Sequence, residues 1–201
     1  MRSLPRHAAT LTLLAGLVLA GCGGGDSDDS SGDGGKDAAS AAPANGAEPA
    51  DGDTIKGKGY AFNAPQGWEV PKQEIPGTEQ TDTFVADLTD ADGFADNINV
   101  IRLDPAPIKD LDPLETALIK ELEGAGAKDV TAGERLDVDG DPAVHISSKL
   151  TQQGASYLTE QYNPIHDGVS YVVTFSFSTD VSQSDRDETA ASVLASWKWA
   201  A

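Results

Sequence analysis

Hydrophobic and polar side chains alternate most regularly between residues 169 and 178. Val169, Tyr171, Val173, Phe175 and Phe177 fall on one face of this segment, and mainly hydroxyl side chains fall on the other. Successive side chains of a strand point to opposite faces, so this period of two is typical of a strand with one face in the core. We therefore predict that 169–178 is the central strand of a sheet.

Similar patterns predict further strands. The alternating apolar residues are Phe84, Ala86 and Leu88 in one segment, and Val144, Ile146 and Leu150 in another. Segments 97–104 and 155–162 carry apolar residues on both faces, which predicts strands that are covered from both sides.

Short turns separate several of these segments. Asp139-Gly140 suits a type I′ hairpin, and Gln153-Gly154 and Asp167-Gly168 also mark turns. Because strands joined by such short turns run in opposite directions, the sheet is predicted to be antiparallel.

Two helices interrupt the strands. The first is predicted to begin at Asp112, a capping residue followed by Pro113 and Glu115, and to end at Gly124. The second is predicted over residues 184–197, with acidic residues in its first turn. The order strands, helix, strands, helix predicts an α+β fold, an antiparallel β-sheet flanked by helices.

Residues 23–53 lack this patterning. They hold eight acidic residues, one basic residue and eight glycines, and none of the large apolar side chains. A segment with nothing to bury cannot offset the entropy cost of ordering, so we expect a disordered tether that contributes nothing to the core. Residues 54–201 contain every aromatic residue and are predicted to form one globular domain.

The charge of the chain excludes one class of partner. The formal net charge is −19, with 33 acidic and 14 basic residues among 201. Such a surface repels phosphate, which excludes a nucleic-acid-binding protein.

The N-terminus carries a targeting pattern. Arg2 and Arg6 precede an apolar stretch from Ala8 to Ala20, which is too short to span a membrane and is typical of a signal peptide over 1–21. The stretch ends in Leu19-Ala20-Gly21-Cys22, which resembles the lipobox of bacterial lipoprotein precursors. The resemblance implies that Cys22 is lipidated, that 22–53 is the tether, and that the domain is anchored to the cell membrane on its extracytoplasmic face.

Four short motifs of the domain resemble the PsbP-like family. They are Phe62-Asn63-Ala64-Pro65-Gln66-Gly67-Trp68, Asp139-Gly140-Asp141-Pro142-Ala143, Asp167-Gly168 before Tyr171, and Ser196-Trp197-Lys198. This family includes the LpqN-type lipoproteins of actinobacteria. The resemblance spans about residues 57–199 and implies an α/β/α sandwich with mostly non-catalytic work in assembly or binding.

The candidate catalytic and metal-binding residues do not form a recognised pattern. His145 and His166 are expected to be surface histidines, no Gly-x-Ser-x-Gly elbow is present, and Gly124-Ala125-Gly126 follows a helix instead of a strand. The acidic residues around Gly93 and Gly140 fail the EF-hand register, so we expect solvated hairpin tips. We predict no enzyme activity, no cofactor and no metal.

The remaining hypotheses concern binding. In the preferred one, the domain is an adaptor that docks an envelope protein through a sheet edge or an exposed aromatic end such as Trp199. In the alternative, it carries a lipid or glycolipid between a helix and the sheet, where the hydroxyl-rich face of 169–178 leaves room.

Overall fold

The computed structural model describes residues 46–73, 75, 77–90, 93–152 and 154–200. Signal peptide, Cys22 and most of the tether therefore lie outside the described residues. In the described part, the strands and helices follow one another as β1 (Thr54–Gly57), β2 (Tyr60–Asn63), β3 (Thr83–Ala86), β4 (Asn97–Leu103), α1 (Leu111–Gly124), β5 (Lys128–Ala132), β6 (Leu136–Val138), β7 (Asp141–Gln152), β8 (Ala155–Asn163), β9 (Ile165–His166), β10 (Val169–Ser178), α2 (Gln183–Ala195) and β11 (Lys198–Trp199).

These elements form an α+β fold with antiparallel sheets, as predicted. The larger sheet has the order β3-β4-β10-β8-β7-β5, with β6 beside β7 and β9 beside β10. The smaller sheet has the order β1-β2-β11. The strand predicted at 169–178 coincides with β10, which lies between β4 and β8.

The two faces of the larger sheet are covered differently. The small sheet and α2 pack on one face, where Tyr60, Phe62, Val173 and Phe175 share a core cluster with residues of α2. Helix α1 packs on the other face against β5 and β7, through Leu114, Leu118 and Leu122. Because β10 supplies alternate side chains to both faces, it connects the two layers.

Trp197 closes the core where the small sheet meets α2. It follows the end of α2 and is almost fully buried, and its ring stacks on Tyr60 and Phe62 at centroid distances of 4.5 and 5.4 Å. The predicted end of α2 at Trp197 is thus two residues too late, but the residue is a core residue. Trp68 packs against this cluster while remaining only half-buried.

The hairpin turns agree with their sequences. Asp139 and Gly140 both have positive φ, at 49° and 97°, and Asp167 and Gly168 have 48° and 77°. Positive φ at both central residues defines the type I′ turn that matches the twist of paired strands.

Several local predictions were wrong. In β3 the buried residues are Val85 and the predicted Ala86, whereas Phe84 is half-buried and Leu88, beyond the end of β3, is 43% exposed. Helix α1 is capped by Asp110, two residues before the predicted Asp112, and this cap makes no side-chain hydrogen bond. Pro113 still lies in the first turn, where its missing N–H costs no hydrogen bond.

One face of β4 and β8 was expected to be apolar but carries buried polar side chains. On the α1 side of the sheet, neighbouring strands carry Asn97, Asn99, Thr159 and Gln161, all buried. They form hydrogen bonds across strands, such as Ser148 to Thr159 at 2.7 Å. The hydroxyl-rich face of β10 is likewise closed, since Ser170, Ser176 and Ser178 are buried, and it leaves no room for a lipid there.

The last part of the tether belongs to the folded structure. Ala50 lies in the main core cluster, donates its N–H to the Ser192 carbonyl at 2.9 Å, and accepts a hydrogen bond from Asn63 Nδ2 at 2.9 Å. The expectation that 23–53 adds nothing to the core is therefore wrong at Ala50. No helix among the described residues is long and apolar enough to cross a membrane.

Candidate functional site

A buried carboxylate organises the space beneath α2. Glu160 on β8 is fully buried, and its two oxygens accept four hydrogen bonds. The donors are His145 Nε2 at 2.8 Å, Ser147 Oγ at 2.5 Å, Arg186 Nε at 2.9 Å and Gln183 Nε2 at 3.1 Å. Burial alone would raise the pKa of Glu160, but the hydrogen bonds from His145, Ser147 and Arg186 outweigh it and hold the pKa below its usual range.

His145 is part of this network and not a surface residue. It is 8% exposed, and its ring stacks on Tyr162 at a centroid distance of 4.2 Å. Gly133 makes room for it, because a Cβ at that position would lie 2.1 Å from His145 Nδ1. The expectation of a surface histidine is wrong because β7 and β8 turn this side of both strands toward α2.

The network does not have the arrangement of a nucleophile and its base. Ser147 and His145 both hydrogen-bond Glu160 and not each other. A serine nucleophile needs an imidazole that accepts its proton, and here the carboxylate already takes that position. The cluster is better suited to fixing Arg186, and with it α2, on the sheet.

A groove of about 460 Å³ opens beside this network, between α2 and strands β5 to β8. Its polar lining residues include Glu134, His145, Ser147, Gln183 and Asp187. Burial also raises the pKa of Tyr162 in its wall, so the phenol stays neutral. An acyl chain needs an apolar tunnel, so this groove does not suit the lipid carrier.

The aromatic end that was expected to dock a partner is used within the fold. Trp199 stacks on His166 at 4.3 Å and donates its indole N–H to the Val138 carbonyl at 3.2 Å. His166 in turn contacts Asp141 at 2.7 Å. Trp199 is half-buried, so it stabilises the C-terminal strand instead of offering a free aromatic surface.

Acidic residues of the predicted hairpin tip around Gly140 accept hydrogen bonds within the fold. Asp139 accepts hydrogen bonds from Lys198 Nζ and from the Trp199 N–H, and Asp137 accepts one from the Gly140 N–H. In the described part of the chain, no group of three His, Cys, Asp or Glu residues is placed to hold a metal ion. Asp92, one of the acidic residues around Gly93, lies outside that part.

A second groove lies where the edges of the two sheets approach each other. We call it the edge groove; it has a volume of about 500 Å³. It is lined by β1, the edge strand of the small sheet, by β3, the edge strand of the large sheet, and by the loop between β2 and β3. Its lining residues are Thr54, Ile55, Lys56, Val70, Pro71, Lys72, Gln73, Ile75, Thr78, Asp82, Thr83 and Phe84.

The edge of β3 is paired at one end and open at the other. Ala86 exchanges both of its backbone hydrogen bonds with Glu69, at 2.9 Å each, so the backbone groups of Ala86 point away from β4. By the two-residue period of a strand, those of Phe84 point the same way. The residue that would continue the pairing from Glu69 is Pro71, which has no N–H to donate.

The backbone N–H and C=O of Phe84 that point away from β4 have no hydrogen-bond partner among the described residues. No hydrogen bond between described residues involves the outward backbone groups of Phe84. The edge of β1 faces the same groove, so two strand edges border one cavity. An unpaired strand edge is a template for an additional strand.

Sequence reasoning did not find this groove. It named a sheet edge as a docking surface without identifying which strands lie at the edges, since that depends on the order of strands in space. The signal in the sequence is Pro71 in an otherwise extended segment, because proline interrupts strand pairing. The predicted site residue Cys22 lies outside the described residues.

Comparisons with known proteins give distant matches only. No family model and no curated protein matches the chain. Among solved structures, a protein from Bacteroides thetaiotaomicron VPI-5482 is 12% identical with a TM-score of 0.46, over 71% of this chain and 45% of that one. This chain thus spans less than half the length of that protein.

Two further structures cover most of their own length. The cyanobacterial PsbP protein CyanoP from Synechocystis sp. PCC 6803 is 20% identical with a TM-score of 0.47, over 71% of this chain and 87% of that one. LpqN, involved in cell envelope biogenesis of Mycobacterium tuberculosis, is 11% identical with a TM-score of 0.49, over 72% of this chain and 88% of that one. Matches at this distance carry no argument about family or function.

Proposed function

We propose that this chain is a lipoprotein anchored to the cell membrane through Cys22, and that its domain is a non-catalytic adaptor for an envelope protein. The edge groove, which is bordered by the edge strand β1 and by the edge strand β3 with its open groups at Phe84, carries the proposal of an adaptor. Strand addition to such an edge is a common mode of peptide recognition, because backbone hydrogen bonds supply affinity and the flanking side chains supply specificity.

The anchor rests on the order of the N-terminal features. A basic start, a short apolar stretch and Leu19-Ala20-Gly21-Cys22 follow one another as in lipoprotein precursors. Two acyl chains on Cys22 would hold the protein stably at the membrane. The acidic segment up to about residue 49 would then let the domain reach partners near the bilayer.

The adaptor is favoured over the lipid carrier by the character of both grooves. The groove beneath α2 has the carboxylates of Glu134 and Asp187 and the amide of Gln183 in its lining, and the edge groove is open and bordered by two strand edges. Neither encloses the apolar tunnel that acyl chains require.

A photo-crosslinking experiment tests this proposal. A photoreactive phenylalanine analogue at Val70, which is 55% exposed and lines the edge groove, should link the lipoprotein to one envelope protein in intact cells. The same analogue at Leu88, which is also exposed and apolar and is not among the described lining residues, is the matched control. Lipid adducts at Val70, or equal capture from both positions, would refute the proposed docking site.

A further inference from the structure

Among the described lining residues of the edge groove, basic side chains outnumber acidic ones, in contrast to the whole protein. Its described lining contains two lysines, Lys56 and Lys72, and one acidic residue, Asp82. The carboxylate of Asp82 already accepts the backbone N–H of Lys58 at 2.7 Å. The whole chain, by contrast, carries a net charge of −19.

Both lysines are free to bind a ligand. Lys56 and Lys72 are exposed, and neither forms an ion pair with another described residue. Lys56 lies on the edge strand β1, and Lys72 follows the proline that ends the pairing along β3. The two lysines therefore belong to different segments that line the cavity.

Apolar side chains also line the edge groove. Val70 is 55% exposed, Pro71 and Phe84 are half-buried, and Ile75 is buried. An exposed valine next to a cavity leaves apolar surface in water, and a ligand side chain that covers it gains the corresponding burial energy.

The geometry points to an extended peptide segment of alternating acidic and apolar residues as the occupant of the edge groove. Its backbone would pair with the open groups of Phe84, its apolar side chains would cover Val70, and its carboxylates would meet Lys56 and Lys72. This inference rests on the proposed adaptor function and names the chemistry of its partner. A cationic segment, which the net charge of the whole chain would favour, would be repelled by Lys56 and Lys72 at this groove.

Two labelled heptapeptides provide the probes. In one, valine and threonine alternate with glutamate; in the other, they alternate with lysine. At low salt, the complete chain should bind the glutamate peptide about 3- to 10-fold more tightly by fluorescence anisotropy, as expected for one or two exposed ion pairs. The preference should shrink in 0.5 M salt, because exposed ion pairs are screened.

Charge-reversal variants locate the effect. Lys56→Glu with Lys72→Glu should reverse the preference between the two peptides. Lys109→Glu with Lys120→Glu changes the net charge of the protein by the same amount at exposed positions outside the groove and should leave the preference intact. N-methylation of alternate residues of the glutamate peptide should abolish binding, because a methylated nitrogen cannot pair with a strand edge.

The possible outcomes separate this inference from the proposed function. Tighter binding of the lysine peptide would overturn the inference and show that overall charge dominates. Equal binding of both peptides, with crosslinking of each at Val70, would overturn the charge preference and leave the docking site standing. Displacement of the glutamate peptide by anionic phospholipid vesicles, or no binding of either peptide, would overturn strand addition of an acidic segment.

Discussion

Replacement of Glu160 by glutamine tests how the buried network holds α2 on the sheet. The carboxylate accepts hydrogen bonds from four donors, two at each oxygen. An amide has one accepting oxygen, so two of these donors would face an NH₂ group. Arg186, which is buried, would also lose the charge that compensates its own.

The expected cost follows from the loss of one partner of a buried ion pair. Such losses destabilise proteins by about 3 to 5 kcal/mol. For a domain of this size, each kcal/mol lowers the melting temperature by about 2 to 4 °C, so E160Q should melt roughly 6 to 20 °C below the wild type. Urea unfolding at pH 7 measures the free energy directly.

The pH dependence provides an independent check on the mechanism. The pKa of Glu160 is held below its ordinary value of 4.5 in the folded protein. A lowered folded-state pKa adds stability that is fully present above the ordinary value and is lost as the pH falls through the folded-state pKa. The difference in unfolding free energy between wild type and E160Q should thus be constant above about pH 5 and shrink below it.

Glu123→Gln on the exposed surface of α1 is the matched control and should change stability by less than about 0.5 kcal/mol. A loss below about 1 kcal/mol in E160Q, or a difference that does not change between pH 6 and pH 3, would refute the reasoning.

Three further predictions concern other parts of the chain. Cys22→Ala should abolish metabolic labelling with palmitate, and a variant that still partitions into detergent would contradict the anchor. A chain that begins at residue 54 should be about 1 to 3 kcal/mol less stable than one that begins at 46, because it lacks the buried Ala50 and its hydrogen bonds; equal urea midpoints would contradict this. Gly133→Ala should cost about 1 to 3 kcal/mol, since its Cβ would collide with His145, whereas Gly124→Ala, which meets nothing within 4 Å, should be neutral or slightly stabilising in the same thermal melts.

The sequence predicted those features that depend on neighbouring residues. The alternation over 169–178 identified β10, Asp139-Gly140 identified a type I′ turn, and Asp167-Gly168 identified a second turn, because strand period and turn conformation are local properties. The apolar face of β3 was predicted correctly at Ala86 but not at Phe84 and Leu88, since a short segment with Phe84 and Val85 side by side offers apolar residues to both faces.

The candidate sites were harder to predict because they depend on contacts between distant segments. Glu160 lies in Thr159-Glu160-Gln161, where nothing in the sequence identifies a partner for a buried carboxylate, and that partner, Arg186, comes from a helix 26 residues later. The edge groove requires β1 and β3 to lie at the edges of two different sheets, and strand order is a property of the whole topology. Neither the buried Glu160 network nor the edge groove can be predicted from amino-acid composition.

The position of β11 has a consequence for how this protein folds as it is made. Tyr60 on β2 pairs with Trp199 on β11 and stacks on Trp197, near the other end of the chain. At synthesis rates of about 5 to 20 residues per second, the residues between Tyr60 and Trp197 take roughly 7 to 27 seconds to appear. During that interval Trp197 and β11 are not yet available to pack on the aromatic side chains of β2, so the nascent domain cannot complete its core. Contacts of such long range delay completion of the core at least until the segment with Trp197 and Trp199 has been made.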